Sequence, residues 1–280
     1  MKNLTLFKYK NKYITNFDFI RSLEKIKAYD CQILYLHSEI NFGIPNPQLK
    51  KNQILDQLFM CIKKMGVKTL CVPTYTFSFC NKEIFNVKKT ISKMGILSEY
   101  IRNQSKSLRS IDPLLSVCIY GKNKNLIKNI SKNSIGKGSH FDKIHNSNNV
   151  KFIFFGPSVG SCFTYIHYIE KLLNAPYRYD REFDGTIINN NKKYKDKFKL
   201  FVRYNNIKTG NGSFIYEDIM FKKKISLRKK LGNGFLTSIN KEDAFNSFID
   251  LYKKKKNIFF RTNKKSFGSK YFKFGNVVTL

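Results

Sequence analysis

Short continuous apolar runs alternate with stretches of helical spacing along most of this 280-residue chain. Positions 16–28 predict a first helix, with Thr15 or Asn16 as its cap and Phe19, Ile20, Leu23 and Ile26 on one face. A buried strand over 31–36 delivers His37-Ser38-Glu39 to its carboxyl end. Leu55, Leu58, Phe59, Ile62 and Met65 then mark a helix over 47–65, which Gly66 stops. A second strand over 67–72 ends at Pro73-Thr74-Tyr75. Positions 77–89 are irregular and are read as a loop over the site, followed by a helix over 92–103 and a strand over 116–120. One helical turn over 141–146 precedes the apolar run VKFIFF, which breaks at Gly156-Pro157 into a small-residue loop and a helix reaching about position 173.

This β-α-β-α order predicts an α/β fold with helices on both faces of the sheet. Open sheets of this kind place their ligand crevice at the carboxyl ends of the strands, where the polar residues collect here. Beyond position 174 the composition shifts to Gly, Asn and Lys, with strands expected over 199–204, 213–220 and 235–239 and a helix over 243–252. The chain is read as one domain over 1–280: a motif-bearing core over 1–179, and over 180–280 antiparallel strands and a C-terminal helix added to the same sheet.

Charge adds one constraint. Fifty-two Lys and Arg against 19 Asp and Glu give a formal charge of +33, dispersed along the chain and densest at 253–256. Enrichment of Lys together with Asn and Ile points to biased genome composition, so a polyanion- or RNA-binding protein is the lesser alternative. A surface this positive still attracts anionic ligands and repels polycations. The six cysteines form no CxxC pair and no zinc spacing, so a reduced, cytoplasmic protein without metal is expected. No apolar run is long enough to span a bilayer, and no membrane insertion is expected. Oligomeric state is left open.

His167 and Glu170 lie three positions apart on the helix after VKFIFF. On one helix face the carboxylate can orient the imidazole and leave its other nitrogen free as a general base.

The ordered segments LYLHSEI, CVPTYTF, SKMGILSEYIR, RSIDPLLSV and GPSVGSCFTYIHYIE, followed by PYRY, resemble the antibiotic acetyltransferase family, named for aminoglycoside 3-N-acetyltransferases. The resemblance implies a three-layer α/β/α sandwich with a central mixed sheet, and transfer of an acetyl group from acetyl-CoA to an amine. By the same match His167 is the base and Glu170 its orienting carboxylate. His37, Ser38, Thr74, Arg109 and Ser110 fall where the family binds coenzyme, and Glu39, Asp112 and Tyr75 are assigned to the acceptor. Backbone N–H groups over 156–161 are expected to face the oxyanion. The chain departs from the family's H-S-S, N-T-S and H-P patterns at His37-Ser38-Glu39, Phe163-Thr164-Tyr165 and Asp112-Pro113. With the basic surface, these departures favour a nucleotide-linked or surface-glycan amino sugar as acceptor over an aminoglycoside, which stays as the alternative.

Overall fold

The computed structural model, which describes residues 1–204, 207–255 and 258–261, is built on a seven-stranded sheet. Its strands are β1 (Ile33–Ser38), β2 (Thr69–Pro73), β3 (Ser107–Arg109), β4 (Val117–Gly121), β5 (Val150–Gly156), β6 (Leu227–Leu231) and β7 (Gly234–Asn240). They lie in the order β6-β7-β5-β1-β2-β4-β3. The three central strands are parallel, and each flank is antiparallel, so the sheet is mixed.

Successive strand residues point to opposite faces, and in the central strands both faces are buried. Ile33 and Tyr35 of β1 and Phe152 and Phe154 of β5 enter one core. Leu34, Leu36, Ile153 and Phe155 enter the other. Helices α1 (Asn16–Lys25), α2 (Lys51–Lys63) and α3 (Ile96–Arg102) fill the second core with Phe19, Leu23, Leu58, Ile62 and Leu97. Helices α4 (His140–His145), α5 (Val159–Cys162), α6 (Tyr165–Leu172), α7 (Gly212–Lys222) and α8 (Lys241–Lys255) cover the first with residues such as Phe141, Ile169, Met220 and Phe248. The result is the expected three-layer arrangement. Thr15 caps α1 through a capping box with Asp18, and Gly66 follows α2 at φ +69°, as the residue types require.

The second half departs from the sequence expectation in three ways. Residues 213–220, read as a strand, form α7, because Tyr216 and Met220 recur four apart and bury against α8 while Glu217 is held by Arg228. An unforeseen strand, Arg178–Asn189, pairs along its whole length with Lys192–Arg203. This hairpin does not extend the central sheet: it forms a separate three-stranded sheet with Phe85–Asn86, inside the stretch read as a loop. Among the described residues, only β6 and β7 join the central sheet from that half. Position 256 of the basic run and positions 262–280 of the C-terminal extension lie outside the described residues.

Candidate active site

The site begins where β5 stops. Gly156 has φ +108°, and a Cβ there would lie 1.8 Å from the carbonyl oxygen of Glu39, so the chain crosses the end of β1 only because this residue has no side chain. After the four-residue α5, Thr164 leads into α6, which carries His167 and Glu170 on one face. Asn174, at φ +50°, then reverses the chain in the left-handed conformation that Asn tolerates at a helix end. That reversal folds Pro176-Tyr177-Arg178 back onto the helix.

The four side chains meet around one carboxylate. Glu170 Oε2 lies 2.8 Å from His167 Nδ1 and 2.7 Å from Arg178 Nε. Tyr177 donates its hydroxyl to Glu170 Oε1 at 2.7 Å. Arg178 Nη2 is 3.0 Å from His167 Nδ1, and its Nη1 donates to the Phe201 carbonyl at 3.2 Å, which ties the dyad to the hairpin. Burial pushes the Glu170 carboxyl up, but Arg178, His167 and Tyr177 more than offset it and hold it down at about 2. Burial and the positive charge of Arg178 lower the His167 imidazole below its ordinary value, against the pull of Glu170. Glu170 is 3% exposed while His167 is 32% exposed. An anchored carboxylate thus orients a ring that still meets solvent, the arrangement a general base requires.

Of the other expected residues, some line this end of the sheet. His37 is buried among Tyr35, Phe154 and Phe163, stacked on Phe154 at 5.2 Å, and burial lowers its imidazole to about 3. It is therefore a neutral ring. Its Nε2 and the Ser38 Oγ are buried and unpartnered among the described residues. Tyr75 is buried, with its hydroxyl 3.3 Å from that of Tyr35 and bonded to Thr164, the residue before α6. Glu39 is exposed.

The rest are turned inward. Arg109 donates from Nε to Ser116 Oγ at 3.0 Å, from Nη1 to the Thr90 carbonyl at 2.5 Å and from Nη2 to the Thr74 carbonyl at 2.5 Å. Each nitrogen of the guanidinium donates to an acceptor of the surrounding loops, so the side chain is held by the fold. The Thr74 hydroxyl bonds the Ser116 carbonyl at 3.1 Å, and Ser110 Oγ accepts from the Val117 N–H at 3.0 Å. Asp112, 1% exposed, accepts from the N–H groups of Leu114 and Leu115 and from Ser134, closing the turn before β4. These four residues brace the loops that join β2, β3 and β4. Among the expected oxyanion donors, the Gly160 N–H is given to Glu217 and the Ser161 N–H to Ser158. Burial pushes the Cys162 thiol up to about 12, so it is no thiolate nucleophile. Among the described residues no group of three or more His, Cys, Asp or Glu is arranged to hold a metal.

Sequence reasoning missed Tyr177 and Arg178 as partners of the dyad. Their signal was present: an Asn at the expected helix end, then Pro-Tyr-Arg within eight residues of the carboxylate.

The family model for aminoglycoside 3-N-acetyltransferases matches residues 48–253. No curated protein sequence is significantly similar to the chain. Among solved structures, aminoglycoside acetyltransferase AAC(3)-Xa is 13% identical with a TM-score of 0.71, covering 86% of this chain and 93% of its own. AAC-IIIb in a binary complex with CoASH is 11% identical with a TM-score of 0.70, covering 85% and 96%. AAC-VIa bound to sisomicin is 12% identical with a TM-score of 0.70, covering 86% and 97%. At these identities the structures establish the shared fold.

Proposed function

This chain belongs to the aminoglycoside 3-N-acetyltransferase family and is an acetyl-CoA-dependent N-acetyltransferase, and we propose that it acetylates a primary amine on an anionic amino sugar, with His167 as the base. The observation that carries the role of His167 is its Nδ1 anchored 2.8 Å from a buried carboxylate while the ring stays accessible. An ammonium cannot attack a thioester, and His167 Nε2 takes the proton that must leave. Positioned proton transfer of this kind is worth roughly 10²–10⁴-fold in rate.

Acetyl-CoA supplies the activated acyl carbon. The residues present suit it: His37 Nε2 and Ser38 Oγ, buried at the carboxyl end of β1 without partners among the described residues, are polar atoms that pantetheine amides could satisfy. Tyr75, linked through Thr164 to the start of α6, borders the same end of the sheet.

For the acceptor, charge is the guide. The chain carries +33, Glu170 is spent on Arg178 and His167, and Asp112 is spent on its own turn. Glu39 remains as an exposed carboxylate to attract one ammonium. A single amine on a sugar that also bears phosphates, nucleotide-linked or a surface-glycan precursor, fits this balance. The second reading is an aminoglycoside, favoured by the family model and by the sisomicin-bound AAC-VIa neighbour. Thiol release measured across nucleotide-linked amino sugars and kanamycin-like compounds separates the two. Higher kcat/KM on the antibiotics would overturn the anionic acceptor while leaving the acetyl transfer intact.

A further inference from the structure

Two groups compete for one ring nitrogen. His167 Nδ1 lies 2.8 Å from Glu170 Oε2 and 3.0 Å from Arg178 Nη2. If Nδ1 bears hydrogen it donates to the carboxylate; if it does not, it accepts from the guanidinium. In the second case the hydrogen sits on Nε2, which then has no lone pair with which to take a proton from an amine. Only the first tautomer leaves Nε2 able to act as a base.

The geometry decides between them through the carboxylate. Arg178 Nε approaches the same Oε2 at 2.7 Å, and Tyr177 donates to Oε1 at 2.7 Å, so every neighbour of Glu170 favours its ionised form. An ionised oxygen 2.8 Å from a bare Nδ1 would set two lone pairs against each other. The carboxylate therefore claims the ring hydrogen, and Arg178 Nη2 is left beside Nδ1 as a charge rather than as a donor.

We propose that Arg178 is a positioning residue of the dyad, a role that rests on His167 being the base: it keeps Glu170 anionic, thereby selecting the Nδ1–H tautomer, and it repels a second proton from the ring. The other groups around the pair are Arg203 from the second strand of the hairpin, which also opposes a charge on His167, and Tyr252 of α8, which faces Glu170. Lys171, next on the helix surface, is paired with Asp180.

The consequence for the reaction is a base that does not keep what it takes. As the new N–C bond forms and the acyl C–S bond breaks, the amine proton moves to Nε2. The imidazolium, held beside a guanidinium, yields that proton to the departing sulfur, so amine and thioester become amide and thiol with protons balanced.

Arg178→Met and Arg178→Lys test this by pH profile and by ¹⁵N NMR of the His167 ring, assigned by its loss in His167→Gln. For Arg178→Met the acid limb of kcat/KM and the His167 titration should both move up by about one pH unit or more. Arg178→Lys, which keeps the charge but not the fork, should leave the limb near the wild-type position while lowering kcat. Should Arg178→Met not fold, Arg178→Gln serves in its place. Identical His167 titration and tautomer in the wild type and the uncharged variant would overturn the proposal. Full turnover of His167→Ala would instead remove the base itself, while the NMR comparison would still report on Arg178, so the two failures are distinct.

Discussion

Glu170 sits three residues after His167 on α6 and presents its Oε2 2.8 Å from the ring's Nδ1. That spacing makes the pair a local device of the helix. Replacing His167 with Ala should lower kcat by about 10²–10⁴-fold with little change in the KM for acetyl-CoA. Glu170→Gln should also cut kcat, since an amide no longer fixes the tautomer. Steady-state thiol release measures both, and undiminished turnover in either variant contradicts the assigned role.

The same carboxylate links stability to pH. Its folded value, held at about 2, lies below the ordinary 4.5, so its ionised form stabilises the fold above pH 4.5 and that contribution is lost as pH falls toward 2. Urea titrations should show the wild type most favoured over Glu170→Gln above pH 4.5, with the gap closing on acidification. A gap independent of pH would show that the charge on Glu170 is not what holds Tyr177 and Arg178.

Arg109 is expected to act on folding. Arg109→Met takes the guanidinium donor from the Thr90 carbonyl and one of two donors from the Thr74 carbonyl, which keeps the Ser116 hydroxyl, and should cost roughly 2–4 kcal/mol of stability. In the fraction that folds, the KM for acetyl-CoA should be unchanged. A raised KM with unchanged melting would instead assign the residue to the coenzyme site.

Gly156→Ala adds a Cβ 1.8 Å from the Glu39 carbonyl at a φ of +108°. The chain must shift at the junction of β1 and β5, and a loss of about 3 kcal/mol or more is expected, read as a fall in melting temperature. The same change at Gly66, where a Cβ would meet nothing within 4 Å, should cost less, about 1 kcal/mol.

Cys162→Ser should retain turnover. The thiol, pushed up to about 12 by burial, gives its hydrogen to the Ser158 carbonyl at 3.4 Å. A burst of thiol release that disappears in this variant would be evidence for an acyl-cysteine step.

Local pattern determined much of this protein. Apolar runs bounded by Gly and polar residues marked β1, β2 and β5; period-3.6 faces marked α1, α2 and α6; and the spacing of His167 and Glu170 placed the dyad on one face, because each of these depends on residues a few positions apart. The ordered motifs carried the family. Tertiary structure decided what depends on distant partners. The segment 213–220 has strand-like residues, yet forms a helix because α8 and Arg228 offer its buried face an apolar wall and a cation. Arg109 and Asp112 sit in polar segments resembling a binding site, but their hydrogen-bond partners lie 7 to 35 and 2 to 22 positions away, and those partners turn them inward. Arg178 came to rest on the dyad because Asn174 reverses the chain and the Phe201 carbonyl of the hairpin holds its far nitrogen, a closure that no helical or strand periodicity contains.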